Sequence, residues 1–302
     1  MKKVSVILTT YNSENSIQDV INSIKNQEGI NVDFEIELIV VDDCSSDKTT
    51  EILKDNNISY QSTEKNSGGP NKGRNIALKH STGDFICIAD HDDVWFPNKV
   101  ISLLKYSEKA PIITSGYTLE DINTGRKEDR INESLDGCLI FEKDETFLTK
   151  LTKSRVGQQT YLGSIMFSSN LKEILFEEEI GMIDFDWVLK LFYNRKSVEI
   201  SKSLYLRKVD GKNLSLDENY RINDYNFSLQ TIKSYSKSFP KEVKLSEKRI
   251  NGSMGRYYYL TGNMKLSRKY LMKSSINIKT ILYLITTFVG SKIVKRYFNI
   301  FG

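Results

Sequence analysis

The chain has 302 residues, 39% of them hydrophobic and 27% charged, which is enough for one large domain with an appendage and a substantial core. A formal net charge of only +4 leaves no chain-wide basic field and argues against a nucleic-acid binder. Cys44, Cys87 and Cys138 lie far apart, with neither the spacing of zinc ligands nor that of a disulfide framework, and suit a reducing cytosol.

Met1-Lys2-Lys3-Val4 runs straight into a short apolar strand, without the apolar region and cleavage site of a signal peptide, so a cytoplasmic location is expected. Residues 4–8 form a nearly continuous apolar run suited to a strand covered on both faces. Ile17, Val20, Ile21 and Ile24 then recur at helical spacing behind Ser13 or Asn15. A second strand over 36–41 ends in Asp42-Asp43-Cys44-Ser45-Ser46-Asp47, which can cap a helix carrying Ile52 and Leu53. Residues 58–62 give a third strand, and a helix with Arg74, Ile76, Ala77 and Leu78 follows the loop Asn66-Ser67-Gly68-Gly69-Pro70. The fourth strand, 85–89, leads into Asp90-His91-Asp92-Asp93 and then a helix with Val100, Leu103 and Leu104 behind Pro97. Such alternation predicts an α/β fold with a mostly parallel sheet, helices on both faces, and ligands at the carboxyl ends of the strands.

Beyond a strand over 112–117 the pattern fades, and 120–145 reads as mostly irregular. A strand is expected over 162–167, a helix over 184–193, and helical patterns near 257–260 and 266–272, followed by the apolar stretch 281–289. That stretch is well below the ~20 residues a bilayer crossing needs. The expected division is a catalytic domain over 1–220, with halves 1–117 and 118–220, and a helical region over 221–302.

Three polar clusters each follow a strand: Thr9-Thr10-Tyr11-Asn12, Asp42-Asp43 and Asp90 to Asp93. Carboxylates this close repel one another, and an oxygen-preferring divalent cation, Mg²⁺ or Mn²⁺, relieves the repulsion. Such a cation would bridge diphosphate oxygens and neutralise a departing nucleotide diphosphate. The plainer alternatives are a solvated turn for Asp90 to Asp93 and a cap for Asp42.

These residues resemble glycosyltransferase family 2, with the GT-A fold, over about residues 3–215. The resemblance rests on residues 4–12, on Val41 to Asp47, on Gly73-Arg74-Asn75 and on Ile88-Ala89-Asp90-His91-Asp92-Asp93-Val94-Trp95, in that order. The stretch Asp92-Asp93-Val94-Trp95-Phe96-Pro97-Asn98-Lys99 is similar to a rhamnosyltransferase-like subgroup of polysaccharide-synthesis enzymes. The resemblance implies a donor site in which Thr9 and Tyr11 line the nucleoside pocket and Asp42 accepts a hydrogen bond from a pyrimidine N3, favouring a UDP- or dTDP-sugar. It places Asp90 at the ribose, His91 beside it as a hydrogen-bonding neighbour, Arg74 and Asn75 near the donor, and Asp92 on the metal and diphosphate. The catalytic base that inverts the anomeric centre falls on Asp184 in one alignment and on Asp186 in the one that matches the subgroup's Asp-Trp; the second is preferred. A histidine common in the family is replaced by Asp210, which could serve as a metal ligand in its place.

The expected activity is transfer of a hexose or deoxyhexose to a polysaccharide or lipid-linked acceptor in bacterial surface glycan synthesis. Residues 276–302 join apolar residues to Lys292, Lys295 and Arg296 and then to Tyr297, Phe298 and Phe301. That composition suits a peripheral contact with the cytoplasmic face of the membrane and equally suits packing on the domain or on a second subunit in an oligomer. The rival readings are a sugar nucleotidyltransferase, which should carry a glycine-rich phosphate loop after the first strand, and a non-catalytic carbohydrate-binding or scaffold protein. A dehydrogenase lacks its Gly-x-Gly-x-x-Gly here.

Overall fold

Seven consecutive buried residues, Val4 to Thr10, run through strand β1 (Lys2–Thr10), as expected of a central strand covered on both faces. In the computed structural model, which describes residues 1–154, 156–209 and 217–289, β1 lies between β2 (Phe34–Asp42) and β4 (Phe85–Ala89), and β3 (Tyr60–Ser62) closes that edge. All four strands are parallel. They are joined by α1 (Ile17–Lys25), α2 (Thr49–Asp55) and α3 (Asn71–His80), and α1 buries the stripe Ile17, Val20, Ile21 and Ile24.

The second half of the sheet breaks the parallel rule. After β5 (Val94–Trp95) and α4 (Lys99–Leu104) come β6 (Ile112–Asp121), β7 (Lys127–Arg130), β8 (Cys138–Phe141), α5 (Glu145–Leu151), β9 (Met166–Ser168), α6 (Phe185–Phe192) and β10 (Ser197–Val209). β9 runs antiparallel to both β4 and β6 and joins the halves. β6 and β10 are parallel, while β5 and β8 pair antiparallel with β10 and β7 pairs with β6. The result is the mixed α/β sheet of a GT-A fold.

Three expectations change. The 120–145 segment holds β7 and β8, and residues 162–164 form a 3-10 turn ahead of a shorter strand at β9. The 13-residue β10 has no counterpart in the pattern reading, because lysine, arginine and serine interrupt its apolar positions.

Contacts divide the chain into two units, residues 1–147 with 157–211 and residues 148–156 with 212–302. The second unit contains α7 (Glu218–Lys233), α8 (Pro240–Thr261), α9 (Met264–Leu271) and α10 (Ile278–Thr286). A Cβ on Gly255 would sit 2.8 Å from Leu271 Cγ, so the glycine is what lets α8 and α9 approach. Among the described residues no helix is long and apolar enough to cross a membrane.

Candidate active site

The parallel register sets Thr10 beside Asp42 and Leu8 beside Ala89, so the three polar clusters leave the sheet along one rim. Thr9 is buried, whereas Tyr11 is 46% exposed and offers its ring at the edge. The Asp42 carboxylate is buried and accepts from Thr10 Oγ1 (2.9 Å), Ser45 N (2.9 Å) and Ser45 Oγ (2.5 Å). An ionised carboxylate has about four acceptor positions, so one remains for a ligand. Asp43 instead binds Thr63 Oγ1 and both the amide and the hydroxyl of Ser67, holding the glycine-rich loop.

The acidic loop is pinned from several sides. Ser16 Oγ donates to His91 O (2.7 Å), Ser23 Oγ accepts from Trp95 N (3.1 Å), and Arg74 Nη2 donates to Asp90 Oδ1 (2.7 Å). Arg74 is itself buried, 5.4 Å from the Phe176 ring centroid, with its Nε unpartnered. His91 is half-buried and Asp93 fully so, while Asp92 keeps solvent along one side. Crowding by the surrounding protein raises the Asp92 carboxyl; His91 opposes this and Asp90 adds to it. Burial lifts Asp93 well above the carboxylate range, reinforced by Asp90 and Asp92. Three carboxylates on four residues thus share too little positive charge, which is the electrostatic mark of a functional site.

Two cations answer the loop that pattern reading missed. Although burial works against its charge, the Arg207 guanidinium is held above its usual range by Tyr161, Asp93 and Tyr205, and it lies 4.5 Å from the Tyr161 ring centroid. Lys99, fully buried, donates to Gly163 O and sits 4.6 Å from the Trp95 ring centroid and 4.5 Å from that of Tyr205. Burial brings the Lys99 ammonium down to about 8. A signal existed for Lys99 in its motif; nothing marked Arg207 on a strand that was not anticipated.

The turn into α6 is built by Glu177, a second residue without a sequence signal. Its carboxylate accepts from Ile180 N, Gly181 N, Ile183 N and Asn71 Nδ2, all between 2.8 and 3.1 Å, and so shapes the turn into α6. Gly69 and Gly181 cross so closely that a Cβ on Gly69 would lie 2.2 Å from Gly181 O. Asn75 donates to Phe176 O and Glu178 Oε1 and accepts from Phe176 N, so its side chain clamps this segment onto α3. Trp187 is buried flat against Phe176 at 4.4 Å and donates to Ile174 O, seating α6.

Asp184 is the half-buried N-cap residue of α6. Asp186 is 5% exposed, its Oδ2 bound to Lys190 Nζ at 2.8 Å and its Oδ1 buried without a partner. Asp210 lies outside the described residues, as do Lys292, Lys295, Arg296, Tyr297, Phe298 and Phe301.

Among the described residues no three histidine, cysteine or acidic side chains converge as a metal cage. The donor chemistry nevertheless fits a hard cation: Mg²⁺-type ions take one or two carboxylates and complete their shell with substrate phosphate and water. Asp92, open to solvent and crowded by like charge, has the chemistry such an ion requires.

The family model for glycosyl transferase family 2 matches residues 5–175, more than half of the chain. The chain belongs to glycosyltransferase family 2. Among relatives of this transferase, the poly(ribitol-phosphate) beta-N-acetylglucosaminyltransferase TarS of Staphylococcus aureus is 44% identical over 97 residues, 31% of this chain and 17% of TarS. The GalNAc(5)-diNAcBac-PP-undecaprenol beta-1,3-glucosyltransferase of Campylobacter jejuni is 26% identical over 98% of this chain and 96% of its own. A poly(ribitol-phosphate) beta-glucosyltransferase of Bacillus spizizenii is 27% identical over 71% of this chain and 34% of its own. This transferase therefore spans well under half the length of TarS and of the Bacillus protein that it matches. The crystal structure of S. aureus TarS 1-349 with UDP shares the fold at a TM-score of 0.56 and 21% identity, over 97% of this chain and 91% of that one.

Proposed function

We propose that this protein is a metal-dependent, inverting glycosyltransferase that moves a hexose or deoxyhexose from a UDP- or dTDP-sugar to a polysaccharide or lipid-linked acceptor of bacterial surface glycan synthesis. The observation that carries the reading is the shared rim. There the Asp90 to Asp93 loop, the buried Asp42 with one acceptor position left, and the exposed Tyr11 ring lie at the carboxyl ends of adjacent parallel strands.

In this reading Tyr11 and Thr9 flank the base and Asp42 accepts from the pyrimidine N3. Asp90, fixed by Arg74, meets the ribose with His91 beside it. Asp92, with Asp210 in reserve, holds Mn²⁺ or Mg²⁺, and that ion supplies Lewis-acid stabilisation to the diphosphate leaving group. Arg207 stands across the loop as a fixed cation for the same negative charge.

Solvent access supports one of the two candidate bases over the other. A general base must reach the hydroxyl it deprotonates; Asp184 is half-buried, whereas Asp186 is enclosed and bound to Lys190. The geometry therefore favours Asp184 over the Asp186 alignment, with Asn75 as a clamp that positions the segment ahead of it. A peripheral membrane contact through the tail fits the Campylobacter relative, which acts on an undecaprenol-linked glycan by its name.

A thermal-shift screen of UDP-, dTDP- and GDP-sugars with Mn²⁺ tests the donor assignment. Stabilisation by a uridine or thymidine donor, dependent on the metal, is expected. Preference for a guanosine donor, or no response to any of them, would remove it.

A further inference from the structure

The second unit contains a cavity of about 610 Å³ lined by none of the candidate transfer residues, and every described residue on its wall belongs to that unit. Its charge is one-sided. Lys153, Arg221, Lys248, Arg249, Arg256 and Lys279 line it against a single carboxylate, Asp224. Asp224 is already engaged, accepting from Ser228 Oγ at 3.1 Å and lying 3.9 Å from Arg221 Nη1.

Several of these cations keep donors available. Lys248 and Lys279 form no ion pair among the described residues, and Arg221 Nε is buried without a partner. A Cβ on Gly252 would meet Arg256 Nη1 and Ser274 Cβ, each at 3.3 Å, so a glycine inside the 22-residue α8 leaves room for that guanidinium. Glycine is unfavourable at a helix interior relative to alanine, a cost that close approach explains. Ser253 and Ser275 add hydroxyls to the wall. Confined like charges with hydroxyl and guanidinium donors match phosphate oxygens, which accept several charge-assisted hydrogen bonds at once.

The same wall says where the phosphate comes from. Asn277, Lys279 and Thr280 line the cavity from the start of α10, and the outer stripe of α10 is apolar and bare. Ile278 is 79% exposed and Ile285 59%, with Ile281 and Leu282 between them, and Phe288, just past the helix end, is 76% exposed. Lys279 beside this apolar stripe, with the other cations of the cavity wall, is the arrangement of an interfacial helix.

We propose that this cavity binds the phosphate head group of a membrane-borne lipid while the outer stripe of α10 rests in the lipid surface. The inference deepens the membrane contact of the proposed function and rests on it.

The test is co-sedimentation of the full chain, without donor or metal, on phosphatidylcholine vesicles that are plain, doped with phosphatidic acid, or doped with oleic acid to equal charge. Phosphatidic acid vesicles should bind best, and inorganic pyrophosphate should displace the protein from them. The exposed pair Lys248→Gln/Lys279→Gln should lose about twenty-five-fold in affinity, from roughly fivefold for each lysine near an anionic surface. Lys241→Gln/Lys244→Gln, of equal net charge and on α8 with Lys248 but off the cavity wall, should change far less. Equal binding to all three vesicle types would leave the membrane contact standing and overturn the phosphate site. An equal fall in both double variants would overturn it too. Binding of soluble polyphosphate with no binding to any vesicle would overturn the lipid source and the membrane contact together.

Discussion

Two sets of carboxylates sit at opposite ends of the same parallel strands, and they are treated in opposite ways. Near the start of β2, Glu37 accepts from Lys3 Nζ, Ser5 Oγ, Thr82 N and Thr82 Oγ1. Burial pushes its carboxyl up, but these four donors outweigh that and hold it at about 2. At the rim, Asp92 and Asp93 are shifted upward by the surrounding protein and by the charge of Asp90, to which Asp92 adds at Asp93. The amino end of the sheet is electrostatically satisfied, whereas the carboxyl end is left wanting a cation. A fold keeps such unrelieved charge where a ligand supplies the missing partner.

That contrast predicts that changes at the rim cost activity and changes at the opposite end cost stability. The largest effect is expected of Asp184→Asn, which should lower kcat by about 10²–10⁴ while leaving donor KM nearly unchanged, as steady-state kinetics would show. Asp186→Asn should act mainly on stability by breaking the Lys190 pair; the reverse pattern would move the base to Asp186. Next comes Gly69→Ala, whose Cβ would strike Gly181 O at 2.2 Å. Overpacking of this kind costs about 1–3 kcal/mol, measurable by urea unfolding, with a matching loss of transfer because the turn into α6 is displaced. Arg207→Gln should raise donor KM about tenfold, the scale of one charge-assisted hydrogen bond, with unfolding unchanged. An unaltered KM would detach Arg207 from the donor.

The smallest effect belongs to the satisfied end. Glu37→Gln should lower stability by about 1 kcal/mol at neutral pH once its partial exposure is discounted, with turnover intact. Because its folded pKa is depressed, its contribution is present above its unfolded pKa, near 4.5, and is lost as pH falls toward about 2. A wild-type and Glu37→Gln pair compared by thermal unfolding should therefore converge in acid. A gap that persists below pH 2 would contradict the assignment.

The donor half was legible because its signals are local. A strand covered on both faces reads as a continuous apolar run, and each such run here ends in its own polar cluster, so the order of clusters followed from the order of strands. The rest depends on partners distant in sequence. Glu177 matters only because Asn71 and three backbone amides meet at it. Arg207 matters because β5 and β10 pair just where the acidic loop ends. The 16-residue α7 buries only Ser228 and Ile232 and so carries no apolar stripe to announce a helix. Weighing Asp184 against Asp186 also needed coordinates, since only two residues separate the N-cap from an enclosed position in the first turn of α6.

If the unrelieved charge of the acidic loop serves a cation on the donor diphosphate, turnover depends on both Asp92 and the metal. Release of UDP or dTDP from the preferred sugar donor, followed with Mn²⁺ and with chelator for wild type and Asp92→Ala, tests this directly. Metal-dependent release by the wild type and its loss in Asp92→Ala are predicted. Undiminished release by Asp92→Ala, or by the wild type in chelator, would contradict it.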